Sequence, residues 1–293
     1  MPVVKATAMT ESLGFFLDSL SMGFMQNALF AALFSAVACG VIGSLVVVNR
    51  LVFLAGGVAH TAYGGVGLAF FLGTPVLPTT VGFTLAGSLA MGALTLTHRE
   101  RSDTVIGVLW ASGMALGVIL LDLTPGYNVD LMSYLFGSIL AVGTDDLYLM
   151  AGLNLIILVL VFFFYKDFLA LSFDREFASA RGAPVAFLHF LLLGLVALTV
   201  VMIIRVVGLI LVIALVSIPP SLAGRHSSSL RAMMFFAVMW SLAFCLLGLF
   251  FSFVFNISSG AAIIAVAAMA YFLVISLGWL LRTLFRPHHQ EEP

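Results

Sequence analysis

From Asn27 onwards the chain is a succession of apolar runs, each about 20 residues long and broken by few polar residues. A helix of that length is what crossing the hydrocarbon core of a bilayer requires. Nine spans can be drawn, at 28–49, 51–72, 77–97, 103–122, 146–166, 184–204, 206–223, 232–255 and 260–282. Charge points the same way. Only 9% of the 293 residues are Asp, Glu, Lys or Arg, against about 25% in a soluble domain. Lipid has to be the solvent for such a surface, and there the backbone must satisfy its own hydrogen bonds. The expectation is an all-α, polytopic membrane protein, with a single transmembrane domain over residues 1–293 and no room for a sizeable domain outside the bilayer.

Several function classes drop out. A net charge of −1 provides no basic field for nucleic acid. Cys39 and Cys245 both sit inside apolar runs, so they suggest neither a disulfide framework nor a metal knuckle. Residues 1–10 lack the charged start and continuous apolar core of a signal peptide, and no cleavable leader is expected. The chain also contains no G-x-x-x-x-G-K-[ST] phosphate loop, so an ATP-driven function by that route needs a second polypeptide.

Two apolar stretches are too short to cross. Residues 13–25 are interrupted by Asp18, Ser19 and Ser21 and read as an amphipathic helix at the interface, with Phe15, Phe16 and Leu20 towards lipid. Residues 131–142 suit a re-entrant segment or half-helix. The placement of lysine and arginine supports that reading. With Arg50 in the cytoplasm and 131–142 entering and leaving on the outside, Arg50, Arg99, Arg101, Lys166, Arg175, Arg181, Arg225, Arg231, Arg282 and Arg286 all fall inside, and only Lys5 and Arg205 fall outside. The N-terminus is then outside and the C-terminus cytoplasmic. Asp122, Asp130, Asp145 and Asp146 lie on the outer face, where carboxylates either cap helices or raise the local cation concentration at a mouth.

The second span holds the main candidate for chemistry. At helical spacing Gly56, His60, Gly64 and Gly67 form one stripe. Such a stripe either packs closely against another helix or opens a groove beside the imidazole. An ionisable residue in mid-span is a functional candidate. His189 is a candidate second ligand, although a lone histidine on an apolar helix also suits a satisfied core position. Gly113 and Gly117 form a G-x-x-x-G pair suited to packing. Pro219-Pro220 is expected to kink or end its helix. Thirteen methionines are scattered without a repeated spacing, which reads as gap filling. The longest connection assigned to the cytoplasm, 166–183, mixes Asp174, Arg175, Glu176 and Arg181 with Phe173 and Phe177. A short surface helix ended by Gly182 and Pro184 fits it; it either caps the domain or docks a partner.

Four segments now carry a resemblance. Residues 53–68, centred on Ala59-His60 and Gly65-Val66, resemble the second-span motif of the zinc/manganese/iron ABC-importer permeases. Tyr134-Leu-Phe-Gly-Ser-Ile-Leu140 is similar to that family's Tyr-Leu-Phe-Gly-Asp-Ile-Leu. Asp174-Arg-Glu-Phe-Ala-Ser-Ala-Arg-Gly-Ala-Pro184 and Val207-Gly-Leu-Ile-Leu-Val-Ile-Ala-Leu-Val-Ser-Ile-Pro219 resemble its cytoplasmic loop and following span. Two aspartates of the pattern are replaced, by Gly56 and by Ser138, so of an Asp-His metal pair only His60 remains. The resemblance implies a homodimer in a prokaryotic cell membrane, two cytoplasmic ATP-hydrolysing subunits and an extracytoplasmic metal-binding protein. It also implies a coupling role for Asp174, Glu176, Phe177, Arg181 and Gly182. No cofactor is expected on this chain; ATP is used by the partner, and the divalent ion is cargo. Other readings are a permease for a metal chelate or other small nutrient, an intramembrane enzyme using His60 with Asp122, and a secondary carrier. Such a carrier usually has carboxylates within its spans.

Overall fold

The computed structural model describes residues 18–97, 102–125, 136–209 and 211–284. All regular structure among them is helical: α1 Gly23–Val48, α2 Val52–Leu72, α3 Val76–Thr97, α4 Ser102–Asp122, a single 3-10 turn Ile139–Ala141, α5 Thr144–Phe163, α6 Tyr165–Phe173, α7 Arg175–Ala180, α8 Val185–Val207, α9 Val212–Ala223, α10 Leu230–Phe255 and α11 Ser259–Leu284. Eight of these are long and apolar enough to cross a membrane. Helices α1, α2 and α8 are the most enclosed, and the other five long helices surround them with much of their apolar surface outward. That distribution suits a lipid solvent, because outward leucine and phenylalanine cost nothing there.

The expected span 206–223 differs from the structure. Helix α8 runs on to Val207 and takes the first residues of that run. Gly208 then turns the chain at φ 82°, and α9 has only 12 residues, about 18 Å of helix. Pro219 and Pro220 lie inside α9 without ending it, and the helix continues to Ala223. Before α1, Asp18 and Ser19 are helical and a turn follows, while residues 23–25 belong to the first span. Residues 13–17 of the expected interfacial helix lie outside the described residues.

Side-chain contacts fix which helix ends share a face of the bundle. Gly57 approaches Ile106, Gly64 approaches Gly113 and Gly67 approaches Gly117, so α2 and α4 run parallel. Asn27 donates to the Val142 carbonyl at 3.4 Å and Asn154 to that of Phe34 at 3.1 Å, so α1 and α5 are parallel too. Helices α1 and α2 are joined by residues 49–51 and run in opposite directions, with Arg50 at a left-handed φ of 58° in the turn. The end of α4 and the start of α5 therefore lie at the same end of the bundle. The connection between them starts and finishes at that end, as the charge pattern required; its residues 126–135 lie outside the described residues.

Residues 136–142 of that connection are a glycine turn followed by the 3-10 turn. Gly137, at φ 64°, sits directly against the backbone at Gly208, and Gly260 against the Phe136 and Val207 carbonyls. The Ile139 amide donates to Ser259 Oγ at 3.0 Å. Gly137 and Gly260 thus let this strap reach the α8–α9 break and the start of α11, where a Cβ on either would not fit.

The other end gathers the basic residues. Asn49 donates to Ser172 Oγ at 2.9 Å. Arg231 lies 4.7 Å over the Tyr165 ring. Val47 packs with Ala223. Arg50, Lys166, Arg175, Arg181, Arg225 and Arg231 consequently share one end, while Asp122, Asp145 and Asp146 share the opposite one.

Candidate functional site

His60 sits in the second and third turns of α2 and is partly buried. Its ring stacks on Trp110 of α4, with centroids 4.1 Å apart and planes 11° from parallel. Its Nδ1 lies 3.2 Å from the sulfur of Met114, one turn further along the same helix. Histidine is therefore held between two α4 side chains. Neither was singled out from the sequence. Their signal was the spacing of Trp110 and Met114 around Gly113, which places all three on the side of α4 that meets α2.

The glycine stripe does not open a groove along its length. A Cβ at Gly67 would strike the Gly117 carbonyl and its Cα, and one at Gly64 would come within 2.7 Å of the Phe83 ring and 3.0 Å of the Gly113 carbonyl. The reciprocal contacts hold as well: a Cβ at Gly113 would come within 2.8 Å of the Thr61 Cα and one at Gly117 within 2.6 Å of the Tyr63 carbonyl. Two small-residue stripes close on each other, backbone to backbone. A Cβ at Gly56 would meet side chains instead, Ile213 Cδ1 at 2.7 Å and the Trp110 ring at 3.8 Å. The space expected beside the imidazole is filled on the glycine side, because α4 carries a matching stripe in register.

His189 goes elsewhere. It lies in the second turn of α8, on a cleft of about 310 Å³ at the basic end lined by Arg50, Arg175, Ser102 and Asp103. Its Nε2 is buried without a hydrogen-bond partner. The cleft thus sets two guanidinium groups, Arg50 and Arg175, and one carboxylate, Asp103, around His189. Among the described residues no three His, Cys, Asp or Glu side chains group to hold a metal ion. Cys39 and Cys245 are buried and free.

At the opposite end Asp122 is the last residue of α4 and is exposed. Asp145 and Asp146 occupy the first turn of α5, where carboxylates favour the helix dipole; Asp146 also accepts from the Gly143 amide at 3.4 Å. Asp130 lies outside the described residues. His60 and Asp122 stand on different helices: His60 meets α4 at Trp110 and Met114, the latter about two turns before Asp122 ends that helix, and no contact joins them among the described residues.

The loop at the basic end folds into α6 and α7. Buried Phe168 and Ala178 anchor it. Asp174 caps α7, its carboxylate accepting from the Glu176 amide at 2.9 Å and that of Phe177 at 3.0 Å. Gly182 turns the chain at φ 82° before α8. Glu176 and Arg181 are exposed. So are two large aromatics, Phe173 at 84% and Phe177 at 54%. The Arg181 guanidinium lies 5.6 Å over the Phe177 ring.

Comparison with known proteins bears on the whole of this architecture. The model of the ABC 3 transport family matches residues 21–278. The chain belongs to that family. It is thus a permease of the metal ABC importers that its motifs resemble. This permease is 47% identical over 274 residues to an uncharacterized membrane protein of Synechocystis sp., covering 94% of this chain and 96% of that protein. It is 33% identical over 277 residues to the manganese transport system membrane protein MntC of Halalkalibacterium halodurans, covering 93% and 95%. Among solved structures, PsaBC from Streptococcus pneumoniae in complex with Fab matches with a TM-score of 0.81 at 33% identity, over 89% of this chain and 94% of that one.

Proposed function

We propose that this permease is the membrane path of an ATP-driven importer for a divalent metal ion: zinc, manganese or iron. The observation that carries the reading is agreement in both sequence and fold with the PsaBC chain over nearly the whole length, together with relatives described as manganese transport membrane proteins. In this reading two copies of the chain form the path, with His60 beside it. Asp122, Asp130, Asp145 and Asp146 draw cations towards the outer mouth, where an extracytoplasmic metal-binding protein delivers them. The basic end faces the cytoplasm, placing the N-terminus outside and the C-terminus inside, in a prokaryotic cell membrane.

The coupling surface follows from solvation. Phe173 and Phe177 are exposed at the end where the basic residues gather, so they lie beyond the lipid core, where uncovered aromatic area of this size marks an interaction site. Two cytoplasmic ATP-hydrolysing subunits are the partners of this reading, one on each copy's α6–α7. Asp174 and Gly182 shape the loop, while Glu176, Phe177 and Arg181 make the contact.

The test is uptake of radioactive zinc, manganese and iron into vesicles holding the permease with its ATPase and binding protein. ATP-dependent accumulation of at least one ion is expected. Correctly assembled vesicles that accumulate none of them, with or without ATP, would refute the reading.

A further inference from the structure

We infer that the thioether of Met114 is a second metal donor beside His60, so that the passing ion meets nitrogen and sulfur and zinc is favoured over manganese. This rests on the reading of the chain as a metal-ion path. The two donors come from different helices and already converge: His60 Nδ1 and Met114 Sδ are 3.2 Å apart. At 3.2 Å the two atoms are near enough to face one ion from adjacent coordination positions.

The surroundings define what kind of ion this is. The Trp110 stack fixes the plane of the imidazole, and both His60 and Met114 retain some exposure. His60 Nε2 has no hydrogen-bond partner among the described residues. Among the described residues no carboxylate is recorded against the pair; the position four residues before His60 is Gly56, whose nearest neighbour is the tip of Ile213. Manganese prefers carboxylate, carbonyl and water oxygens, whereas thioether and imidazole suit softer or borderline ions such as zinc. Two neutral donors also hold a dication weakly, which suits a contact the ion must leave.

The experiment measures the ratio of zinc to manganese uptake in the reconstituted transporter. Wild type should favour zinc. Met114→Leu keeps the volume next to the ring but removes the donor; it should lower zinc uptake about tenfold, the lower end of what losing a supporting group costs a metal site, and leave manganese uptake within about twofold. Met114→Cys retains a sulfur donor and should retain the preference. Gly56→Asp, combined with Ile213→Val to make room, should move the ratio towards manganese. The inference is overturned if Met114→Leu assembles normally and keeps the wild-type ratio, or if Met114→Cys loses the preference as fully as Met114→Leu does. Failure of wild type to transport either ion would instead remove the metal-path reading itself, so the two failures are distinguishable.

Discussion

Replacing Gly67 with alanine tests whether α2 and α4 meet backbone to backbone. The added Cβ would strike the carbonyl and Cα of Gly117, atoms fixed in a helix that cannot swing aside as a side chain can. The two helices would have to part, loosening the Gly113 to Thr61 and Gly117 to Tyr63 contacts at the same seam. Overpacking of this kind costs about 1–3 kcal/mol. Alanine returns about 1 kcal/mol of helix propensity, leaving a net loss of up to about 2 kcal/mol. At about 2–4 °C per kcal/mol for a chain of this size, the apparent melting temperature should fall by up to roughly 8 °C. Gly82→Ala is the control, since its Cβ would meet nothing within 4 Å; it should melt at or above wild type. Gly56→Ala meets closely just the far end of Ile213, which can rotate, with Trp110 at ordinary contact distance, and should fall between them. Melting of the purified permease in one detergent, followed by size-exclusion fluorescence, measures all three. If Gly67→Ala melts with Gly82→Ala, the seam is not as tight as described and the reasoning fails.

Two further outcomes are expected. Cysteine introduced at Thr144 should react with an impermeant reagent added outside cells while one at Ser228 should not; both positions are exposed, and Cys39 and Cys245 are buried. The reverse pattern would invert the proposed orientation. The double variant Glu176→Lys, Arg181→Glu should insert normally but lose co-purification of the ATPase or coupling of its hydrolysis to transport, and unchanged association and transport would reduce α6–α7 to a cap.

What the sequence made readable follows from where the forces are local. The long spans are legible because apolar length is a property of one segment. The non-crossing connection before α5 is legible because lysine and arginine keep a parity that a full crossing would break. The division at Gly208 is not, since the apolar run continues through it and the turn is set by Gly137 on a distant segment. The stripe through Gly56, Gly64 and Gly67 was visible as periodicity, but whether it opens or closes depends on the facing helix. Gly113 and Gly117 held that answer, and pairing the two patterns would have given it. Met114 was hidden among thirteen methionines, because flexibility makes any one of them look like filler. His189 looked like His60 in sequence, and only the arginines brought in from two other segments separate their surroundings.

The seam between α2 and α4 has a mechanical consequence. Surfaces that interlock through main-chain atoms have no side-chain rotamers to rearrange, so sliding or rolling there would require whole turns to disengage together. These two helices therefore act as one stiff strut. Any cycle that exposes His60 first to one side of the membrane and then to the other has to place its moving joint elsewhere. A softer boundary is the one at Gly56, whose neighbour on the short helix α9 is the tip of the Ile213 side chain rather than backbone. Helix α9 is separated from α8 by the Gly208 turn, but a Cβ at Gly43 of α1 would strike the Val216 carbonyl, so a shift of α9 past the strut has to carry α1 with it.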